Sequence, residues 1–388
     1  LREFSMNKKL LAAAVAAAVV ASPAAFAEST IYGKFHTSVD MNDVDDRKDN
    51  WEMNSRASRL GFKGSEDLGN GLKAIYQAEF SVATDGNDGG SGQDGGDGWG
   101  SQRNTFIGLA GDWGTFLVGR HDVPQKMAFY ATGNERLGDS IIDINHSNGI
   151  TGKSNTTIGV FSEFRADNAI AYVSPNFSGF TVTAAMIPGE DSGESVSAST
   201  STSVSPLVTC ASATGAVCGT VFVQETSTTS ASKNDRDGIA DHWSVGTMYK
   251  GNGLQVGAGY SSYDMGNDDD QDVMQVGASY TMNNFSFGAQ YEDTDNLGGE
   301  KDNDYTAWAV TGKYTFGNNA ISLVYTDSEQ DRATGLNDIE TDGWGVAAEH
   351  NFSKRTKIYA AYAANTVEED NESDVDDDRF SLGMIHNF

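Results

Sequence analysis

Proline, cysteine and positive charge are all scarce in this chain of 388 residues, which carries 5 prolines, 2 cysteines and 26 lysines plus arginines. Disordered chains are rich in proline and poor in aromatics; here 10% of residues are aromatic, so the chain should fold. Against 55 acidic residues and a net charge of −29, no basic surface is left to meet nucleic-acid phosphates. The six histidines show no metal-ligand spacing, and the adjacent pair His121–Asp122 is read as no catalytic dyad, so the material for an enzyme is thin. Past the first dozen residues no apolar run approaches the roughly 20 residues of a helical membrane span. A helical stripe with a 3.6-residue period is missing as well.

The N-terminal region has its own pattern. From Met6 the sequence "MNKKLLAAAVAAAVVASPAAFA" gives Lys8 and Lys9, an apolar stretch from Leu10 to Ala21, and Ala25-Phe26-Ala27. That is a charged region, a hydrophobic region and an A-x-A cleavage site. A signal peptide over residues 6–27 is expected, preceded by a non-native or misassigned leader at 1–5. Export places the two cysteines, Cys210 and Cys218 in "TCASATGAVC", where a pair across a small-residue loop most simply forms a disulfide.

Strict alternation then dominates residues 28–388. In "TIYGKFHTSVD", Ile31, Phe35 and Val39 share one face while Lys34, His36 and Asp40 share the other. "NFSFGAQYEDT" sets Phe285, Phe287 and Tyr291 against Ser286, Gln290 and Glu292, and "ISLVYTD" aligns Ile321, Leu323 and Tyr325. Period two over 8–11 residues signals β-strands. Short turns such as "SEDLGNG", "KGNG" and "SKRT" alternate with long acidic loops such as "DMGNDDDQ" and "EEDNESDVDDD", which gives about 16 strands. Even strand number, short turns at one end and long loops at the other describe a transmembrane barrel. The reason is physical: backbone groups in hydrocarbon have no water partner, so the sheet must close on itself. One face meets lipid and the other lines a wet lumen. Tyr260, Tyr280, Tyr291, Trp243, Tyr314, Phe316, Trp344 and Phe352 fit aromatic girdles near strand ends. In the closing "RFSLGMIHNF", Phe380, Leu382, Met384 and Phe388 form the outward face of a last strand that must pair with the first.

The stretches "SRLGFKGSEDLGNGLKAIYQAEF", "RNTFIGLAGDWGTFLVGRHD" and "RADNAIAYVSPNFSGF", with the terminal Phe388, resemble the Gram-negative general porins of the neisserial and proteobacterial type. The resemblance implies an all-β, 16-stranded antiparallel barrel, usually a homotrimer, in the outer membrane. It also implies an inward-folded third loop and passive diffusion of small hydrophilic solutes and ions, with no cofactor. A basic cluster on the wall would face acids on that loop. Lys34, Arg59 and Arg103 match wall positions and Arg165 matches more loosely; strand parity sets Arg59 against Phe62, Arg103 against Phe106, and Arg165 against Tyr172. The third loop offers Asp122, Glu135, Asp139 and Asp143, although the family's Pro-Glu-Phe core is absent; "NERLGDS" is the expected narrow part. Phe380, Leu382, Met384 and Phe388 would serve as an assembly signal.

The acidic runs read as a solvated surface that shares divalent cations with lipopolysaccharide and concentrates cations at the mouth, which predicts a mild cation preference. The "DGNDGGSGQDGGDG" stretch is one imperfect copy of a calcium repeat that works in tandem, so no metal site is expected. Two other readings stay open: a channel specific for a sugar or an anion, and an adhesin barrel acting through its long loops.

Overall fold

The computed structural model describes residues 28–45, 48–85, 99–146, 158–189, 200–210, 218–228, 238–266, 269–332, 336–369 and 372–388. The leader and the expected signal peptide lie outside them. Alternation becomes geometry at once in β1 (Glu28–Val44), β2 (Asn50–Ser55), β3 (Arg59–Gly69), β4 (Leu72–Val82), β5 (Trp99–Gly111) and β6 (Gly114–Asp122), which open the sheet. β9 (Arg165–Val173), β10 (Phe180–Ile187) and β13 (His242–Gly251) continue the sheet. It is completed by β14 (Leu254–Tyr263), β15 (Gln271–Met282), β16 (Phe285–Asp295), β17 (Asp304–Phe316), β18 (Asn319–Asp331), β19 (Ile339–Asn351), β20 (Thr356–Glu369) and β21 (Val375–Asn387). β2 and β3 both pair with β1 and form a single stave, broken at residues 56–58 where Ala57 takes φ 46°. The staves therefore number 16.

Closure comes from β21 against β1, running from Lys34 opposite Asn387 to Val44 opposite Asp377. Phe388 extends it: its N–H donates to Gly33 O and its carbonyl accepts from Gly33 N–H, each at 3.1 Å. Short turns at one end follow the sequence chemistry. Asn70–Gly71 and Asn252–Gly253 all take positive φ, as a two-residue type I′ hairpin requires.

The outer face is apolar, with Ile31, Phe35, Val39, Phe285, Phe287, Leu323, Leu382 and Met384 all exposed on it. Above its aromatics, toward the long loops, the same face turns acidic. Asp327 and Glu329 lie opposite Asp342 and Glu340, Glu340 lies opposite Glu368, Asp304 opposite Asp331, and Asp43 opposite Asp378. Among the described residues no helix is long and apolar enough to cross a membrane.

Two long loops carry structure that alternation did not foretell. The loop after β10 holds a hairpin of β11 (Thr200–Cys210) and β12 (Cys218–Thr228), with Cys210 directly opposite Cys218 in its register. The cysteine side chains lie outside the described residues. The loop between β6 and β9, residues 123–164, contains helix α1 (Pro124–Ala131) and a two-residue parallel pair, β7 (Asn145–His146) and β8 (Phe161–Ser162). Pro124 opens that helix after an extended Val123, a position where a missing N–H costs nothing.

Candidate functional site

This third long loop enters the barrel, and small residues on the wall explain where it rests. A Cβ on Gly246 would strike Pro124 O, one on Gly259 would strike Gln125, and one on Gly257 would overlap Ala128 O. Farther round, Gly345 and Gly343 receive Ile142 and Ile158. Loop residues Phe129, Leu137, Ile141, Ile142, Ile144, Ile158, Val160 and Phe161 are buried against wall residues Ala307, Ala309, Val324, Ala347, Ala361 and Ala363. The barrel thus holds a hydrophobic core inside its lumen. Wall polar groups pin the loop: Ser162 donates to Glu292 through N–H at 2.9 Å and through Oγ at 2.8 Å, Asn134 Nδ2 donates to Ala289 O at 2.8 Å, and Tyr305 Oη donates to Val160 O at 2.6 Å.

The loop's other side is polar and borders a cavity of about 700 Å³. All eight charged residues expected from the sequence line it: Lys34, Arg59, Arg103 and Arg165 on the wall, and Asp122, Glu135, Asp139 and Asp143 at the loop. Their partnerships differ. Lys34 Nζ donates to Asp139 Oδ2 at 2.5 Å, and Arg59 Nη1 stands 4.0 Å from the same oxygen. Arg165 Nε lies 3.0 Å from Asp122 Oδ1. Among the described residues Arg103 meets no loop acid in an ion pair; its Nε donates to Glu79 Oε1 of the neighbouring stave at 2.7 Å. Asp143 accepts the backbone N–H groups of Asp139 at 2.6 Å and Asn145 at 3.0 Å, so it braces its own loop.

Parity brought Arg103 inward for the wrong reason. Ile107 and Leu109, which share its parity, are exposed on the outer face. The β4–β5 ladder slips between Ala78–Thr105 and Phe80–Gln102, and this bulge turns Arg103 into the lumen. The His121–Asp122 pair makes no dyad: His121 Nδ1 lies 2.8 Å from the backbone oxygen of Asp122.

Several lining residues went unselected. Lys126 reaches Asp122 at 3.1 Å and Glu163 at 3.3 Å; Asp122 closes β6 and Lys126 lies in α1, so no single period linked them in the sequence. Arg56 ion-pairs Asp40 from the broken stave. Lys357 also lines the cavity; it lies 2.7 Å from Glu349, which Lys313 flanks on its other side, all three at inward parity. Arg136 carried no signal, since loop residues have no parity.

Burial and neighbouring charge divide the loop's acids. Burial favours the neutral form of Asp139, but Lys34 and Arg59 outweigh it and hold the carboxyl at about 2. Burial and then the Asp139 charge push Asp143 up to about 7. Glu135 is raised well above the carboxylate range by burial, then by Asp143, Asp139 and Glu163. Among the described residues no three acidic, histidine or cysteine groups converge to hold a metal ion.

A barrel of 16 staves with an inserted third loop is the architecture on which comparison with known proteins is decisive. The sequence pattern of the Gram-negative porin family matches residues 12–370. The chain belongs to that family. This porin is 31% identical over 196 residues to the major outer membrane protein P.IB of Neisseria gonorrhoeae, covering 48% of this chain and 50% of the relative. The aligned part thus spans about half the relative's length. A longer alignment, 27% identical over 336 residues, covers 79% of the porin and 75% of the P.IA protein of Neisseria meningitidis serogroup A. In fold it is similar to the anion-selective porin from Comamonas acidovorans (TM-score 0.65, 19% identity, 93% of this chain and 100% of that one). It is also similar to Salmonella typhi OmpF (TM-score 0.61, 18% identity, 93% and 97%).

Proposed function

We propose that this porin forms a water-filled pore in the outer membrane through which small hydrophilic solutes and ions diffuse passively. The observation that carries this reading is the charged cavity left between the barrel wall and the inserted loop, where Lys34 and Arg59 face Asp139. Opposed charges across such a gap orient polar solutes and disfavour apolar ones, so sieving and electrostatics suffice as mechanism. Lys34, Arg59, Arg103 and Arg165, with Asp122, Glu135, Asp139 and Asp143, are the residues we assign to the constriction.

Liposome swelling with sugars of increasing size tests the proposal. A smooth size cut-off is expected. Saturable uptake would indicate a specific channel, and no swelling an adhesin or a closed barrel.

We assign the assembled form as a homotrimer, supported by the family; three equal conductance steps per insertion event would bear this out. The acidic belt supports lipopolysaccharide as a neighbour. Like charges directly opposite in a ladder repel, and divalent cations shared with lipid phosphates would offset that. Among the described residues no acidic cluster converges on a metal site, so we assign such ions to the field of the belt. Phe380, Leu382, Met384 and Phe388 would act as the assembly signal through the closing strand.

A further inference from the structure

The inserted loop covers only part of the wall, and the part it leaves bare points to a class of solute, an inference that rests on the pore reading above. Its buried side chains rest on β17 to β21, and α1 lies against glycines of β13 and β14. Neither β1 nor β3, β4 or β5 gives a residue to the core formed there. Yet Ile75 and Phe106, on β4 and β5, hold inward positions, since their neighbours Tyr76 and Ile107 are exposed on the outer face. Both are only half-buried. Large apolar groups left bare in a wet lumen call for an explanation.

The two belong to one cross-stave array. Ladder register sets Thr30 opposite Lys63, Lys63 opposite Gln77, and Gln77 opposite Phe106, so these inward side chains form a row across four staves. Ser65 opposite Ile75 begins the next inward row. All six border a cavity of about 320 Å³, at the small end of ligand pockets. It shares no lining residue with the constriction. Lys63 stands four residues along β3 from Arg59 toward the Asn70–Gly71 turn, roughly 13 Å at the usual strand rise.

The polar groups of the array are spare. Among the described residues no carboxylate pairs with Lys63. Its Nζ lies 4.9 Å from the centre of the Tyr32 ring, whose hydroxyl donates to Glu79 Oε2 at 2.9 Å. An aromatic face steadies an ammonium without cancelling its charge. Gln77 Nε2 donates to Asn104 O at 3.5 Å, a long bond that a better acceptor would replace. At the far end His121 meets the Phe106 ring edge to face, with centroids 5.1 Å apart.

We propose that this array is a binding subsite for small aromatic carboxylates, seated on the short-turn side of the constriction. The carboxylate meets Lys63 and Gln77, and the ring lies against Phe106 and Ile75. Charge alone does not select the ligand here; the ring does.

Planar-bilayer recordings with potassium chloride on both sides test this, each channel's block being scaled to its own open current. Phenylacetate should reduce the wild-type current saturably, and acetate at the same concentration should not. Phe106→Ala should raise the half-blocking concentration about fivefold, the loss of one ring–ring contact. Phe106→Tyr should restore it. Lys63→Gln should also raise it several-fold, and keeps the test open if Phe106→Ala fails to fold. Equal block by acetate and phenylacetate, equal block by phenylacetate and uncharged benzyl alcohol, or half-blocking concentrations unmoved in the variants overturns this inference and leaves the pore intact. Absence of any conductance would instead overturn the pore reading.

Discussion

Lys34, on the first stave, donates to Asp139, on the loop that plugs the barrel, and so ties wall to loop across 105 positions of sequence. Removing the carboxylate should free two wall cations at once. Asp139→Asn is expected to raise anion preference about twofold, read as a shift in reversal potential. An unchanged potential would show that the pair lies off the conduction path.

The raised carboxyls give the pore a pH dependence with a definite sign. Asp143 faces Asp139 and Glu163; Glu135 faces all three, with Lys34 as the nearby cation. Below their shifted values both are protonated and neutral. As pH rises through about 7, Asp143 ionises and adds negative charge to the lumen, while Glu135 is shifted in the same direction by burial and the neighbouring acids. Anion preference should therefore fall from pH 6 to pH 9. A flat profile over that range would contradict the assignment.

Wall glycines seat the loop. In Gly345→Val the added carbon would lie 2.5 Å from Ile142 Cγ2, so loop or stave must move. Overpacking of this kind costs about 1–3 kcal/mol. A larger single-channel conductance and faster proteolysis within residues 123–164 are the expected readouts.

On the outer face Leu323 is 59% exposed, the mark of a lipid contact. Leu323→Arg should cost ~2–4 kcal/mol near the bilayer midplane, visible as a lower folded fraction in urea titrations of vesicle-inserted protein. A neutral result would place that stave against something other than lipid.

At the seam, the Phe388 ring packs 5.3 Å from that of Phe35 while its backbone bonds Gly33. Phe388→Ser keeps the backbone bonds and removes the ring contact. Slower insertion into vesicles, followed by the shift in gel mobility on heating, is expected; wild-type kinetics would deny the residue an assembly role.

Much of this was legible because strand parity maps sequence directly onto two solvents. Phe285, Phe287 and Leu323 had to face lipid, and Lys34 and Arg59 had to face the lumen, whatever their tertiary neighbours. Parity failed at Arg103, where a bulge shifts the register, since nothing local in "SQRNTF" marks the slip. Helix α1 was missed because eight residues are too few for a periodic stripe. The place of Arg136 was hidden for another reason: its side chain is held by Ser286 and Thr311, 150 and 175 residues away in the sequence.

The sequence by itself determined a closed sheet of 16 staves, its two faces and its short and long ends, because period two and turn chemistry are local properties. Which acid meets which base was decided only in three dimensions. Ion pairs depend on where an irregular loop comes to rest, and that is set by glycines and alanines scattered over distant staves, whose message is the space they leave.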